Sequence, residues 1–139
     1  MRIQIFFIAL YNALDTLHQQ AKSISSQLKK ENPQVYISTF TFIEVTTIIS
    51  QRVGRKEAIV AGKDLLESGN FIYIHSTKAI EELSWTIFKE IGKKNISFVD
   101  CSIIAVMELE NISSLLTFDK KDFTPLQKLY KFNFYDMRL

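Results

Sequence analysis

Three carboxylates stand beside apolar segments, where an acid is costly. Asp119 follows the run "SLLTF", Asp100 falls early in "ISFVDCSIIAVMELENI", and Glu44 lies inside "STFTFIEVTTII". An ionised carboxylate loses hydration in such surroundings and persists when it is paired, protonated or bound to a metal. Acids brought together repel one another unless a divalent cation neutralises them, and Mg²⁺ prefers hard oxygen ligands of this kind. Cation binding is therefore the first chemistry these residues suggest.

Each acid also has a structural explanation. Ser97 and Asp100 match the capping box S-x-x-[DE], and an acid in a first helical turn is favoured by the helix dipole. Asp119 can begin an Asx turn in "FDKKDF". Glu44, one residue after Ile43 and four before Ile48, can neutralise a neighbouring Lys or Arg.

The elements that must position these acids follow from hydrophobic spacing. Leu17, Ala21, Ile24 and Leu28 mark one face of a helix over about 16–30, with Asp15 placed to cap it. "ENP" stops that helix, and "QVYIS" reads as a short strand. Phe40, Ile43, Thr47 and Ile48 give a second helical stripe, ended around Gly54, which places Glu44 on a core-facing side. Ala58, Ala61, Gly62 and Leu65 form a third. "ESGN" then breaks the chain before the strand "FIYIH".

Ile80, Leu83, Ile87, Phe88 and Ile91 mark a helix closed by Gly92 and two lysines. A helix from about Phe98 to Glu110 follows, headed by the stripe Asp100, Ile103, Ile104 and Met107. The strands "SLLTF" and "FNFY" complete the pattern. Alternation of this kind implies an α/β domain with a mainly parallel sheet covered on both faces, in which sites gather at the carboxyl ends of strands.

The bulk numbers set bounds. At 139 residues, 47% hydrophobic and 23% charged, the chain fits one globular domain over 1–139. Its net charge of +2 does not by itself announce nucleic acid. Cys101 is the single cysteine, which excludes a disulfide framework and a cysteine-built zinc site and suggests a reducing, cytoplasmic setting. "MRIQIFFIALYNAL" imitates a signal peptide, but Gln4 and Asn12 interrupt it and it is too short to span a bilayer, so no membrane role is expected. His18 and His75 lack metal-ligand spacing, and Trp85 with the phenylalanines reads as core or interface filling.

"STFTFIEVTTII", "ISFVDCSIIAVMELENI" and "LLTFDKKDF", in that order and spacing, resemble the PIN-domain family, metal-dependent nucleases that include VapC-type toxins of bacterial toxin–antitoxin pairs. The resemblance covers nearly the whole chain. It implies a three-layer α/β/α sandwich, an acidic pocket binding Mg²⁺ or Mn²⁺, cleavage of RNA phosphodiester bonds, an antitoxin partner and a homodimer. By motif, Glu44 matches the family's helix glutamate, Asp100 the aspartate opening the next site helix, and Asp119 the aspartate after the fourth strand. Asp122 is a nearby, less regular metal candidate. Ser97 and Thr117 match polar positions flanking the acids. Lys120 and Lys121 are the cations best placed for RNA, ahead of Arg52, Arg55, Lys56, Lys93 and Lys94.

In such a site the metal lowers the pKa of a bound water and shields charge on the phosphate, while an acid orients or deprotonates that water. One family feature is missing. Members usually open with a strand ending in aspartate, but "FFIALYN" (Phe6 to Asn12) is preceded by Ile3 at the matching position, and no acid occurs before Asp15. Either Met1 is not the natural start, or "MRIQI" is the strand and the catalytic turn is lost. A weakened nuclease is one expectation, a non-catalytic PIN-like module binding RNA or a protein the second, and a structural α/β protein the third.

Overall fold

The computed structural model describes residues 17–93, 95–118 and 120–138, which divide into two compact units. The first unit comprises the described residues up to Ile74 together with those from Asp136 onward; the second is His75–Tyr135. Ile3, the Phe6 to Asn12 segment, Asp15, Lys94 and Asp119 lie outside the described residues.

The first unit begins with α1 (His18–Glu31), whose buried residues are Ala21 and Ile24. Its N-cap is Leu17 with no side-chain cap bond, and the cap expected from Asp15 falls outside the described residues. Asn32 ends the helix in the left-handed region at φ 51°, its N–H donating to the Leu28 carbonyl at 2.8 Å. The Gln27 amide grips the returning chain, donating to the Asp136 carbonyl at 2.8 Å and accepting from the Arg138 N–H at 3.0 Å.

Strand β1 (Val35–Ser38) pairs in parallel with β2 (Phe71–Ile74), in a register running from Val35 against Phe71 to Ser38 against Ile74. Helices α2 (Thr39–Arg52) and α3 (Arg55–Glu67) form the crossover between them and pack on each other. Ala58, Ala61, Gly62 and Leu65 are the buried face of α3, as their spacing predicts.

The face of α2 is a correction. Thr41, Val45 and Ile49 are buried, whereas Ile43, expected inside, is 54% exposed. Phe40, Phe42, Ile43, Val45, Ile48 and Ile49 leave almost no side of this helix polar. Periodicity alone therefore could not choose the inward face, and packing against α3 and β1 chose it.

In the second unit, α4 (Lys78–Ile91) starts at Thr77, whose hydroxyl accepts the Ile80 N–H at 3.2 Å, and ends at Gly92 with φ 59°. It buries Ile80, Ser84 and Ile87 and packs along α5 (Phe98–Leu109). Phe88, expected in the core, is instead 41% exposed. Strands β3 (Ser114–Leu115) and β4 (Asn133–Phe134) again pair in parallel. "SLLTF" and "FNFY" thus each supply only two paired residues.

Helix α6 (Lys120–Tyr130), between these strands, went unread in the sequence. Pro125 masks it by removing a backbone donor inside the element, while Phe123 and Leu126 supply its buried side. Both strand pairs are parallel and joined through helices, as an α/β chain requires.

Candidate active-site carboxylates

Asp100 is the most constrained acid. It is the third residue of α5, and its Oδ2 accepts the Ser97 N–H at 2.9 Å while its own N–H donates to the Ser97 hydroxyl at 3.1 Å. The capping box read from the sequence is therefore formed on both sides, and it fixes the carboxylate at the positive end of the helix dipole. Asp100 is 1% exposed, and every residue from Asp100 to Met107 is buried. Its Oδ1, also sealed from solvent, accepts no hydrogen bond among the described residues.

Burial acts on the next residue too. The Cys101 thiol is pushed up to about 11, by desolvation first and by the Asp100 charge second. It is a buried thiol, inert at neutral pH.

Glu44 belongs to the other unit. It is half-buried on α2 and flanks the inward face instead of lying in its centre. Its Oε2 is sealed and accepts no hydrogen bond among the described residues. Ser38 closes β1 and caps α2, its hydroxyl donating to the Thr41 hydroxyl at 3.3 Å. Glu44 thus rides on a helix that springs directly from a strand end, the place where α/β sites form.

The other sequence candidates are placed as follows. Thr117 is 1% exposed. Asp122 sits in the first turn of α6, half-buried. Lys120 and Lys121 open that helix and are exposed, with the Lys120 ammonium 5.9 Å from the centre of the Phe134 ring. Because α6 itself went unread, sequence reasoning missed that both lysines belong to a helix start. The spacing Phe123, Leu126 and Tyr130 was the available signal. Arg52, Arg55, Lys56 and Lys93 are exposed, and His75 is exposed while His18 is half-buried.

Among the described residues, no three His, Cys, Asp or Glu side chains are grouped to hold a metal ion. Asp119, needed for the expected set, lies outside them. Asp100 and Glu44 offer oxygen donors, the kind a hard divalent cation prefers.

Comparison with known proteins gives one family: the PIN-domain model matches residues 6–129. The 23S rRNA-specific endonuclease VapC20 of Mycobacterium tuberculosis, from strains CDC 1551 / Oshkosh and H37Rv, is 30% identical over 114 residues, 82% of this chain and 84% of the relative. The crystal structure of VapC20, described as a Sarcin-Ricin loop cleaving toxin, superposes with a TM-score of 0.75. It is 30% identical and covers 88% of this chain and 91% of that one. No described helix is long and apolar enough to cross a membrane.

Proposed function

This chain belongs to the PIN-domain family and has its α/β fold, and from that premise we propose that it is a divalent-metal-dependent endoribonuclease, the toxin of a toxin–antitoxin pair. The observation that carries the reading is Asp100, a carboxylate 1% exposed in the first turn of an otherwise apolar, buried helix. A fold keeps such a group only at a desolvation cost. The substrate by likeness to VapC20 is a stem-loop of large-subunit ribosomal RNA. The matched residues 6–129 run through both units, so we take 1–139 as a single domain, and a toxin acting on ribosomal RNA would work in the cytoplasm.

Asp100, Glu44 and Asp119 would hold Mg²⁺ or Mn²⁺, with Asp122 as an outlying member. When bound, the metal supplies an acidified water and charge compensation for the phosphate. Ser97 fixes the Asp100 carboxylate through the paired hydrogen bonds of the capping box, so the ligand is oriented before substrate arrives. Glu44 orients the attacking water or accepts its proton. Thr117, 1% exposed, would orient an acid or a bound water, the role the resemblance implies for it. Lys120 and Lys121 meet the RNA backbone as exposed cations.

The second reading, a non-catalytic module binding RNA or a protein, is favoured if Ile3, by the motif resemblance, stands where the family usually carries its first aspartate. A single pair of measurements separates the two. Thermal melting with millimolar Mn²⁺ should raise the midpoint in the native chain and not in Asp100→Asn, and a sarcin–ricin stem-loop RNA should be cut only with metal present. No shift and no cleavage would overturn the nuclease reading. Self-association into a homodimer belongs to the same proposal.

A further inference from the structure

We propose that Gln27 and Glu31 of α1 form a backbone-reading site for an extended basic segment. The chain's own residues 136–138 fill it as a strap that opens without the core unfolding.

The site is built from one amide and one carboxylate a helical turn apart. The Gln27 side chain donates to the Asp136 carbonyl at 2.8 Å and accepts the Arg138 N–H at 3.0 Å. A carbonyl and the N–H two residues on are the groups that a neighbouring parallel strand engages. A carboxamide carries the same donor and acceptor as a peptide group, so Gln27 stands in for one strand residue opposite Met137. Glu31 lies four positions after Gln27, on the same helical face. Its Oε1 accepts from the Arg138 guanidinium at 2.9 Å and from the Gln27 amide at 3.4 Å. One carboxylate thus orients the reader and selects the charge of the segment that is read.

Polar contacts hold the strap more than burial does. Asp136 and Arg138 are exposed and Met137 is half-buried. The Arg138 side chain keeps 71% of its surface in water, where an ion pair adds little stability. Exposed hydrogen bonds with few apolar contacts behind them mark the parts of a fold that open first. Ile104 on α5, fully buried, is the opposite case. Among the described residues of α1 only Ala21 and Ile24 are buried, so the strap adds a second hold on this helix.

The contact joins residues 109 and 111 positions apart, and both ends belong to the first unit. It is therefore a tertiary closure and not a local turn. Neither Gln27 nor Glu31 is a proposed metal ligand, so the strap stands apart from the nuclease reading.

The test is amide hydrogen exchange of the full chain, followed by NMR. In the native chain the Arg138 N–H should exchange about tenfold or more slower than in an unstructured peptide, and far faster than the Ile104 N–H. Gln27→Ala, which keeps a good helix former in α1, should remove that protection and leave Ile104 unchanged. Glu31→Lys and Arg138→Glu should each speed exchange at residue 138 by about fivefold. The two together should restore protection, because the charges again oppose. An Arg138 N–H that exchanges at the unstructured rate, or no faster than that of Ile104, would overturn the strap. Protection that survives Gln27→Ala, or a double charge swap that stays unprotected, would overturn the site.

Discussion

Helices α5 and α2 carry the candidate acids Asp100 and Glu44, and they hold them by opposite means. In α5 the acid is fixed by its nearest neighbours: Ser97 and Asp100 exchange hydrogen bonds of 2.9 and 3.1 Å, and the eight residues that begin with Asp100 are all buried. In α2 only Thr41, Val45 and Ile49 are buried, and Glu44 sits at the margin of that stripe. One carboxylate is oriented by a local motif, the other by whatever packs beside its helix. The difference teaches that a buried acid can be locally determined when it doubles as a cap. An acid in mid-helix depends on tertiary neighbours.

The largest effect that would break the comparison is catalytic. Asp100→Asn keeps the shape of the cap but removes the charge, and RNA cleavage should fall on the order of 10²–10³. Glu44→Gln should lower cleavage comparably. Retained activity in either, measured on the stem-loop RNA, removes that acid from the site. The next effect is on stability. Ile104→Ala, at a fully buried position of α5, should cost about 2–5 kcal/mol, while Ile43→Ala on the open side of α2 should stay within about 0.5 kcal/mol in urea melts. Equal losses would show that the two helices are buried alike.

A smaller effect sharpens the role of the cap. Ser97→Ala should cost about 1 kcal/mol of stability and weaken metal-dependent melting, because it frees the carboxylate as well as the helix end. A stability loss with unchanged metal response would make Ser97 a helix cap and nothing more. The smallest signal is chemical. Cys101 should resist alkylation in the native chain and react fully in denaturant, since it is sealed inside α5. Rapid native labelling would show that the helix carrying Asp100 opens readily.

The short-range features were legible in the residue order. The capping box of Ser97 and Asp100, the buried face of Ala58, Ala61, Gly62 and Leu65, and the left-handed stop at Gly92 all depend on residues within a few positions of one another. Hydrogen bonding and helical periodicity act over that range. What tertiary structure alone decided was choice among equivalents. The all-round apolar α2 turned Thr41 inward and Ile43 outward, Phe88 joined Trp85 at the surface, and α6 formed despite Pro125. In each of these the local preferences nearly cancel, so the burial available against other elements fixed the outcome.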